Sequence, residues 1–434
     1  MKVLTKEVFG WAMFDFANSS YTTVIITAIF NLYFIEGVVG DPNHGDYLWG
    51  MTLSISYLIV VLVSPILGAI ADFSALKKRF LLFTSLVCVG FTAPLYFVGP
   101  GDLILAMTFV ILSNIGFSMG ENLISSFLPE ITTKDHIGRV SGYGWGLGFL
   151  GGILALLGSI VILKSMDGDS LGYKLIYPFV ALFFALSAIP TFLWVKERGT
   201  RHQDIQGLRA YAQIGYQQLM STFRHLSDFK ELVKLLFAFF FYNAGLITVI
   251  AFAVPYAKEV FGFEKGELIV LIIVSNVAAS IGAILFGFIQ DKIGAKRTLA
   301  ITVAWWIVTV LGIYSVESQK GFWVMASMAG FGLGSAQSAT RAMVGLFSPK
   351  SRLAEFYGFW GMFGKLSSIL GLYSFGLLSY VTSSKKLALL STAVFFIIGF
   401  IILLWINEKK GIQRSTSYDR DITKIEETGP ADEL

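Results

Sequence analysis

Four charged side chains sit inside long apolar runs of this 434-residue sequence: Asp15, Glu121, Arg341 and Lys365. A charge near the middle of a membrane helix costs at least ~2.5 kcal/mol on insertion scales, so each requires a partner, a cavity or a function. At about 1.5 Å per residue, Asp15, Glu121 and Arg341 lie roughly 10 Å in from one end of their helices, and Lys365 about 18 Å in, near the midplane. The acids fall in the first half of the chain and the bases in the second. Asp15 shares a helical face with Asn18, Ser19 and Thr22, and Glu121 shares one with Asn114 and Ser118, so both carboxylates lie on polar stripes turned away from lipid. Asn243 and Gln337 add polar groups in the second half. Three roles suit the acids: structural links satisfied by neighbouring backbone and asparagines, a gate in which they pair with Arg341, or sites for a proton or substrate. Lys365 either binds a substrate carboxylate as a point charge or pairs with an acid across the molecule.

The elements that must position these groups are membrane helices. The chain is 55% apolar and 15% aromatic with 14% charge, against about 25% charge in soluble domains. Twelve apolar runs approach the ~20 residues that cross a bilayer: 8–35, 47–71, 80–99, 103–127, 141–163, 173–195, 234–257, 267–289, 298–316, 321–346, 354–380 and 386–406. The first is longer than a signal-peptide core and lacks a small-residue cleavage signal, so it reads as a retained span. With both termini placed in the cytoplasm, 25 of the 33 Lys and Arg residues fall inside and seven outside, which orients the chain. The net charge of +4 is therefore a face bias and needs no nucleic-acid partner. Cys88 is a lone cysteine in mid-span, and no internal disulfide is available to it.

The chain is also written twice. Gly68-Ala-Ile-Ala-Asp72, followed by Lys77, Lys78 and Arg79, reappears as Gly287-Phe-Ile-Gln-Asp291, followed by Lys296 and Arg297. Tyr143-Gly-Trp145-Gly-Leu-Gly148 likewise resembles Tyr357-Gly-Phe-Trp360-Gly-Met-Phe-Gly364, and each follows a proline, Pro129 or Pro349, that ends the preceding helix. The predicted architecture is all-α and integral to the membrane: twelve transmembrane helices as two six-helix bundles, 1–196 and 234–410, related by an axis along the membrane normal. Between them, 197–233 is a cytoplasmic linker whose Leu208, Tyr211, Ile214, Leu219, Phe223 and Leu226 have helical spacing, an amphipathic helix along the membrane surface. From Gly411 to the end the sequence is polar without an apolar period, and a disordered tail is predicted.

The repeated Gly-x-x-x-Asp turn with its basic cluster resembles the major facilitator superfamily. More specific stretches narrow the likeness: Trp11-Ala-Met-Phe-Asp15-Phe-Ala-Asn18, Phe127-Leu-Pro129-Glu130, Arg139-Val-Ser-Gly142, Gln337-Ser-Ala-Thr-Arg341 and Glu355-Phe-Tyr-Gly358 through Gly364-Lys365. These look like the autophagy-related vacuolar amino-acid effluxers and their bacterial relatives, over both halves. The resemblance implies the major facilitator fold and a secondary transporter, with spans one, four, seven and ten lining the central cavity. It also implies that Asp72 faces the start of span eleven and Asp291 the start of span five, with Arg79, Arg297 and Arg341 among the gating residues. The first turn departs from the second, since Ser74 and Ala75 stand where the other copy has Gly294.

Several motifs are declined. Gly146-Leu-Gly148-Phe-Leu-Gly151 follows no strand and lies inside an apolar span, so helix packing explains it better than a dinucleotide. Gly358 to Gly364-Lys365 has the wrong spacing for a phosphate loop, and Leu366 replaces the Ser or Thr, so no ATP hydrolysis, no enzyme and no cofactor is expected. His44, His136, His202 and His225 never cluster, and no metal site is expected. The resulting expectation is a monomeric, proton-coupled transporter in a bacterial cytoplasmic membrane. It would carry a small solute, amino acids favoured, at Asp15, Asn18, Asn114, Glu121, Asn243, Gln337 and Lys365. Trp145 and Trp360, at repeated positions, pack helices or line the cavity. A drug exporter of the same fold and a non-transporting receptor or scaffold are the alternatives.

Overall fold

A computed structural model describes residues 3–166, 169–198, 208–224 and 226–428, and among them there are fourteen long helices and no strand. In the first half these are α1 (Lys6–Val39), α2 (Pro42–Ser74), α3 (Lys77–Thr92), α4 (Leu103–Ser126), α5 (Ile137–Ser165) and α6 (Ser170–Trp194). The linker holds α7 (Leu208–Arg224). The second half has α8 (Lys230–Phe261), α9 (Lys265–Ile293), α10 (Ala295–Ser315), α11 (Gln319–Phe347), α12 (Leu353–Thr382) and α13 (Lys385–Leu404), and α14 (Glu408–Thr428) ends the described chain.

Eleven described segments are both long and apolar enough to cross a membrane. The twelfth expected span, α11, is long enough at 29 residues but less apolar. Its composition follows from its place: from Gly334 to Phe347 every residue except Gln337 is buried. A helix walled in by protein can carry Ser, Thr, Gly and Arg341 without exposing them to lipid.

The two halves meet where backbones approach closely. A Cβ on Gly68 of α2 would lie 2.1 Å from the Ala354 carbonyl oxygen of α12, and one on Gly142 of α5 would lie 2.5 Å from the Ala283 carbonyl oxygen of α9. Small residues permit this contact, because helices in a membrane associate through close packing and hydrogen bonds rather than through exclusion of water. Both contacts lie near the face that carries the two repeated turns and α14, termed here the basic face.

Two segments differ from the sequence expectation. The linker helix docks on protein, where a Cβ on Gly215 would meet Ile70 of α2 at 2.6 Å. Of its periodic apolar side chains only Leu219 is described, packed against the core, and those of Leu208, Tyr211, Ile214, Phe223 and Leu226 lie outside the described residues. The tail is helical where disorder was expected. Glu408 accepts hydrogen bonds from Ala295 N at 2.8 Å and Lys296 N at 3.2 Å, capping α10. Asp419 accepts from Lys350 N at 2.9 Å and Ser351 N at 3.3 Å. Between these caps Gly411 abuts Phe347, Ser415 Oγ donates to Ser348 O at 2.9 Å, and Tyr418 packs on Phe229 at 5.2 Å. The contact face is built of Gly, Ser and Tyr at helical spacing, which does not register as an apolar period.

Candidate functional site

The four membrane charges fall into two unlike groups. Arg341 Nη1 donates to Asp15 Oδ2 at 2.6 Å, joining α11 to α1 and hence the second half to the first. Arg341 also donates through Nη2 to Ser141 O at 2.9 Å and through Nε to Ser141 Oγ at 3.2 Å on α5. The Trp11 and Trp145 rings lie 4.6 and 5.3 Å from its guanidinium carbon. A guanidinium only 1% exposed thus exchanges its water for a carboxylate, two oxygens and two π-faces, the conditions under which a buried charge is tolerated. Gly144 makes room, because a Cβ there would lie 2.4 Å from Asp15 Oδ2 and 2.5 Å from Arg341 Nη2. Trp145 covers the guanidinium of the ion pair, while Trp360 packs at a tilt against Phe239 with ring centroids 5.8 Å apart.

Glu121 and Lys365 are the other group. Among the described residues neither makes an ion pair. The Lys365 ammonium lies over the Tyr57 ring at 4.9 Å and the Phe117 ring at 5.7 Å, both in the first half. The charges that act on Glu121 are Lys365, Asp15 and Arg341. Nearby polar groups differ in how they are used. Asn114 Nδ2 donates to Ser56 Oγ at 2.8 Å, and Asn243 Nδ2 to Ser367 Oγ at 2.6 Å, both within one half. Gln337 Nε2 reaches Asn243 Oδ1 at 3.5 Å, a long contact of little strength. Asn18 Oδ1 and Ser118 Oγ are buried without a hydrogen-bond partner among the described residues.

At the basic face the repeated aspartates cap helices of the opposite half. Asp72 Oδ2 accepts from Glu355 N at 2.9 Å, at the start of α12. Asp291 Oδ1 accepts from Gly138 N at 2.9 Å and Oδ2 from Arg139 N at 3.4 Å, at the start of α5. A carboxylate there satisfies orphan amides and meets the roughly +0.5 charge of a helix N-terminus.

The aspartates draw their charge partners from residues other than Arg79 and Arg297. Lys77 lies 3.4 Å from Asp72 Oδ1 and also pairs with Glu130, and Arg139 pairs with Asp291. Arg79 and Arg297 are exposed and, among the described residues, make no ion pair. Each sits two residues beyond the buried start of its helix, Lys77 or Ala295, on the opposite side of the helix and exposed. Just outside the membrane helices, burial pushes the Glu197 carboxyl above its ordinary value, against the stabilising Lys78 amide at 3.3 Å.

Residues that sequence reasoning missed as participants are Ser141, Trp11, Lys77, Glu130, Arg139 and Glu355. All six stand within quoted motifs, but none was given a contact. Glu355 is fully buried beneath the linker helix, with Gln218 Nε2 donating to its Oε2 at 3.3 Å. Among the described residues no three His, Cys, Asp or Glu side chains gather as a metal site, and His202 and His225 lie outside them.

Two six-helix halves joined by carboxylate caps across their seam define a major facilitator transporter. Solved structures share the fold: the proton:xylose symporter XylE covers 95% of this chain and 97% of its own, at 14% identity and TM-score 0.70. FucP in its outward conformation covers 94% and 100%, at 13% identity and TM-score 0.67. Residues 49–416 match the family model described as vacuole effluxer Atg22 like, and the chain belongs to that family. It is 28% identical over 419 residues to YxiO of Bacillus subtilis (strain 168), an uncharacterised MFS-type transporter, covering 94% of this chain and 96% of that one. The chain is accordingly a multi-pass membrane transporter and not an enzyme.

Proposed function

We propose that this chain moves a small zwitterionic solute, an amino acid or related metabolite, by alternating access, with Glu121 carrying a coupling proton. The observation that carries this reading is the contrast between the two charge groups. Asp15 and Arg341 satisfy each other, so they act as a gate that closes the basic face. Among the described residues Glu121 and Lys365 remain without an ion-pair partner, one from each half. An unpaired acid and an unpaired base in a membrane interior have a substantial desolvation cost, and a zwitterion offers each its counter-charge. Lys365 meets the carboxylate as a point charge, and Glu121 meets the ammonium or, in its absence, takes a proton. Asn18 Oδ1 and Ser118 Oγ, both unpartnered, supply further acceptors. A scaffold or receptor has no use for this arrangement.

The basic face is assigned to the cytoplasm on the Lys and Arg asymmetry, the membrane to the bacterial cytoplasmic membrane, and the working unit to a monomer. When the solute or, in its place, the proton binds, rocking of the halves breaks the Asp15–Arg341 pair and both aspartate caps together. The test is transport in proteoliposomes, with the solute chosen by a thermal-shift screen of amino acids, peptides, sugars and drugs. Glu121→Gln should lose its response to an imposed pH gradient while solute exchange survives. A coupling that is unchanged in Glu121→Gln would falsify the assignment of the proton.

A further inference from the structure

A cavity of about 620 Å³ opens at the basic face, one turn beyond Arg341 along α11. Its walls come from three parts of the chain. Pro129 and Ile137 belong to the first half, Gly345 and Leu346 to α11, and Ser415 and Thr416 to the tail helix. Three cations line it, Lys134, Lys350 and Arg420, against one acid, Asp419. That acid is already engaged by the Lys350 and Ser351 amides and by Ser351 Oγ at 3.2 Å. Lys134 Nζ donates to Thr416 Oγ1 at 2.7 Å, which among the described residues leaves the remaining side-chain donors of the three cations, together with the Thr132 and Thr133 hydroxyls, for a ligand. The volume lies in the range of small-molecule sites, and such sites combine apolar walls with a few convergent polar groups.

We propose that this cavity binds a phosphate-bearing anion and that its occupancy holds the basic face closed. The reasoning goes beyond the solute pathway and does not depend on which solute is moved. Phosphate suits the lining because two ammoniums and a guanidinium, from three segments of the chain, offer charge-assisted donors, the guanidinium as a bidentate fork. The apolar wall of Pro129, Ile137 and Leu346 suits the carbon part of a phosphate ester or of a lipid headgroup. Because Lys134 comes from one half and Lys350 from the other, the site is complete only when the halves are together. A ligand that binds one conformation and not the other shifts the equilibrium toward the first, by about 100-fold at 100 times its dissociation constant.

The experiment uses the full chain in detergent with Cys88→Ala and spin labels at Arg79→Cys and Arg297→Cys, exposed positions on opposite halves. Inorganic pyrophosphate should raise the short-distance population saturably. Lys350→Ala with Arg420→Ala should abolish the rise while the thermal unfolding midpoint stays within a few degrees of the parent. Should that double variant not fold, Arg420→Gln alone should weaken the response at least tenfold. In nanodiscs, phosphatidylglycerol against phosphatidylcholine identifies the source: a shift with the anionic lipid alone assigns the site to a headgroup and supports the proposal. Potassium chloride that reproduces the shift at equal ionic strength, a response that survives in the folded variant, or no shift with either phosphate source overturns it.

Discussion

Asp15 and Arg341, 326 positions apart in sequence, meet at 2.6 Å across the seam between the two halves. Removing one partner of a buried pair leaves the other charge stranded, a loss of about 3–5 kcal/mol. That loss applies only to the conformation in which the pair is formed. Arg341→Ala is therefore expected to favour the state open at the basic face by 100-fold or more, and Asp15→Asn to do so less strongly because its amide still accepts a hydrogen bond. Labels at Arg79→Cys and Arg297→Cys should report longer distances in both. Distances that match the parent would remove the pair from any gating role.

The same gate can be opened without touching a charge. A methyl group at Gly144 must displace the Asp15 carboxylate and the Arg341 guanidinium, which would otherwise stand 2.4 and 2.5 Å from it. Gly144→Ala should thus reproduce the lengthened distances of Arg341→Ala. Added to Arg341→Ala it should contribute little more, since mutations acting on one contact are not additive. Full additivity would mean that the glycine acts through helix packing and not through the pair.

Part of this organisation was legible in the sequence because chemistry and repetition coincide there. Asp72 and Asp291 stand out as two copies of one charged turn, and Asp15, Glu121, Arg341 and Lys365 as charges in apolar runs. Which acid meets which base was not legible, because that depends on depth and rotation of helices from different halves. Repetition also misled: it drew attention to Arg79 and Arg297, which follow each turn, whereas Arg139, the partner of Asp291, arrives from α5 and has no place in the repeated turn. The tail escaped notice because its contact face uses Gly411 and Ser415, residues whose fit depends on Phe347 and Ser348 being opposite.

Lys365 distinguishes solute binding from structural support. An ammonium that receives a substrate carboxylate contributes roughly 1.5–3 kcal/mol through its charged hydrogen bond. Lys365→Gln should therefore weaken binding of the amino acid found by thermal shift at least tenfold. Binding of the corresponding amine, which lacks the carboxylate, should be weak and the same in both proteins. If the variant instead loses both equally, Lys365 serves the packing of Tyr57 and Phe117 and a different group reads the carboxylate.

The two repeated turns should respond to substitution with opposite signs. Ala75 ends α2 in the left-handed region at φ 50, ψ 41, a conformation that costs a residue with a Cβ roughly 1–2 kcal/mol. Glycine removes this cost but gives the unfolded chain more freedom, by about 0.5–1 kcal/mol, so Ala75→Gly should be neutral or stabilising by up to ~1 kcal/mol. Gly294 occupies φ 93, ψ 158, a region essentially reserved for glycine. A Cβ there would also stand 3.0 Å from Glu408 Oε2, the carboxylate that caps α10. Gly294→Ala therefore combines backbone strain of order 1–3 kcal/mol with a weakened cap worth about 1 kcal/mol. Thermal unfolding in detergent should show a lower midpoint for Gly294→Ala and an equal or higher one for Ala75→Gly. A fall of equal size in both would mean that the turns are held by their surroundings and not by their own backbone geometry.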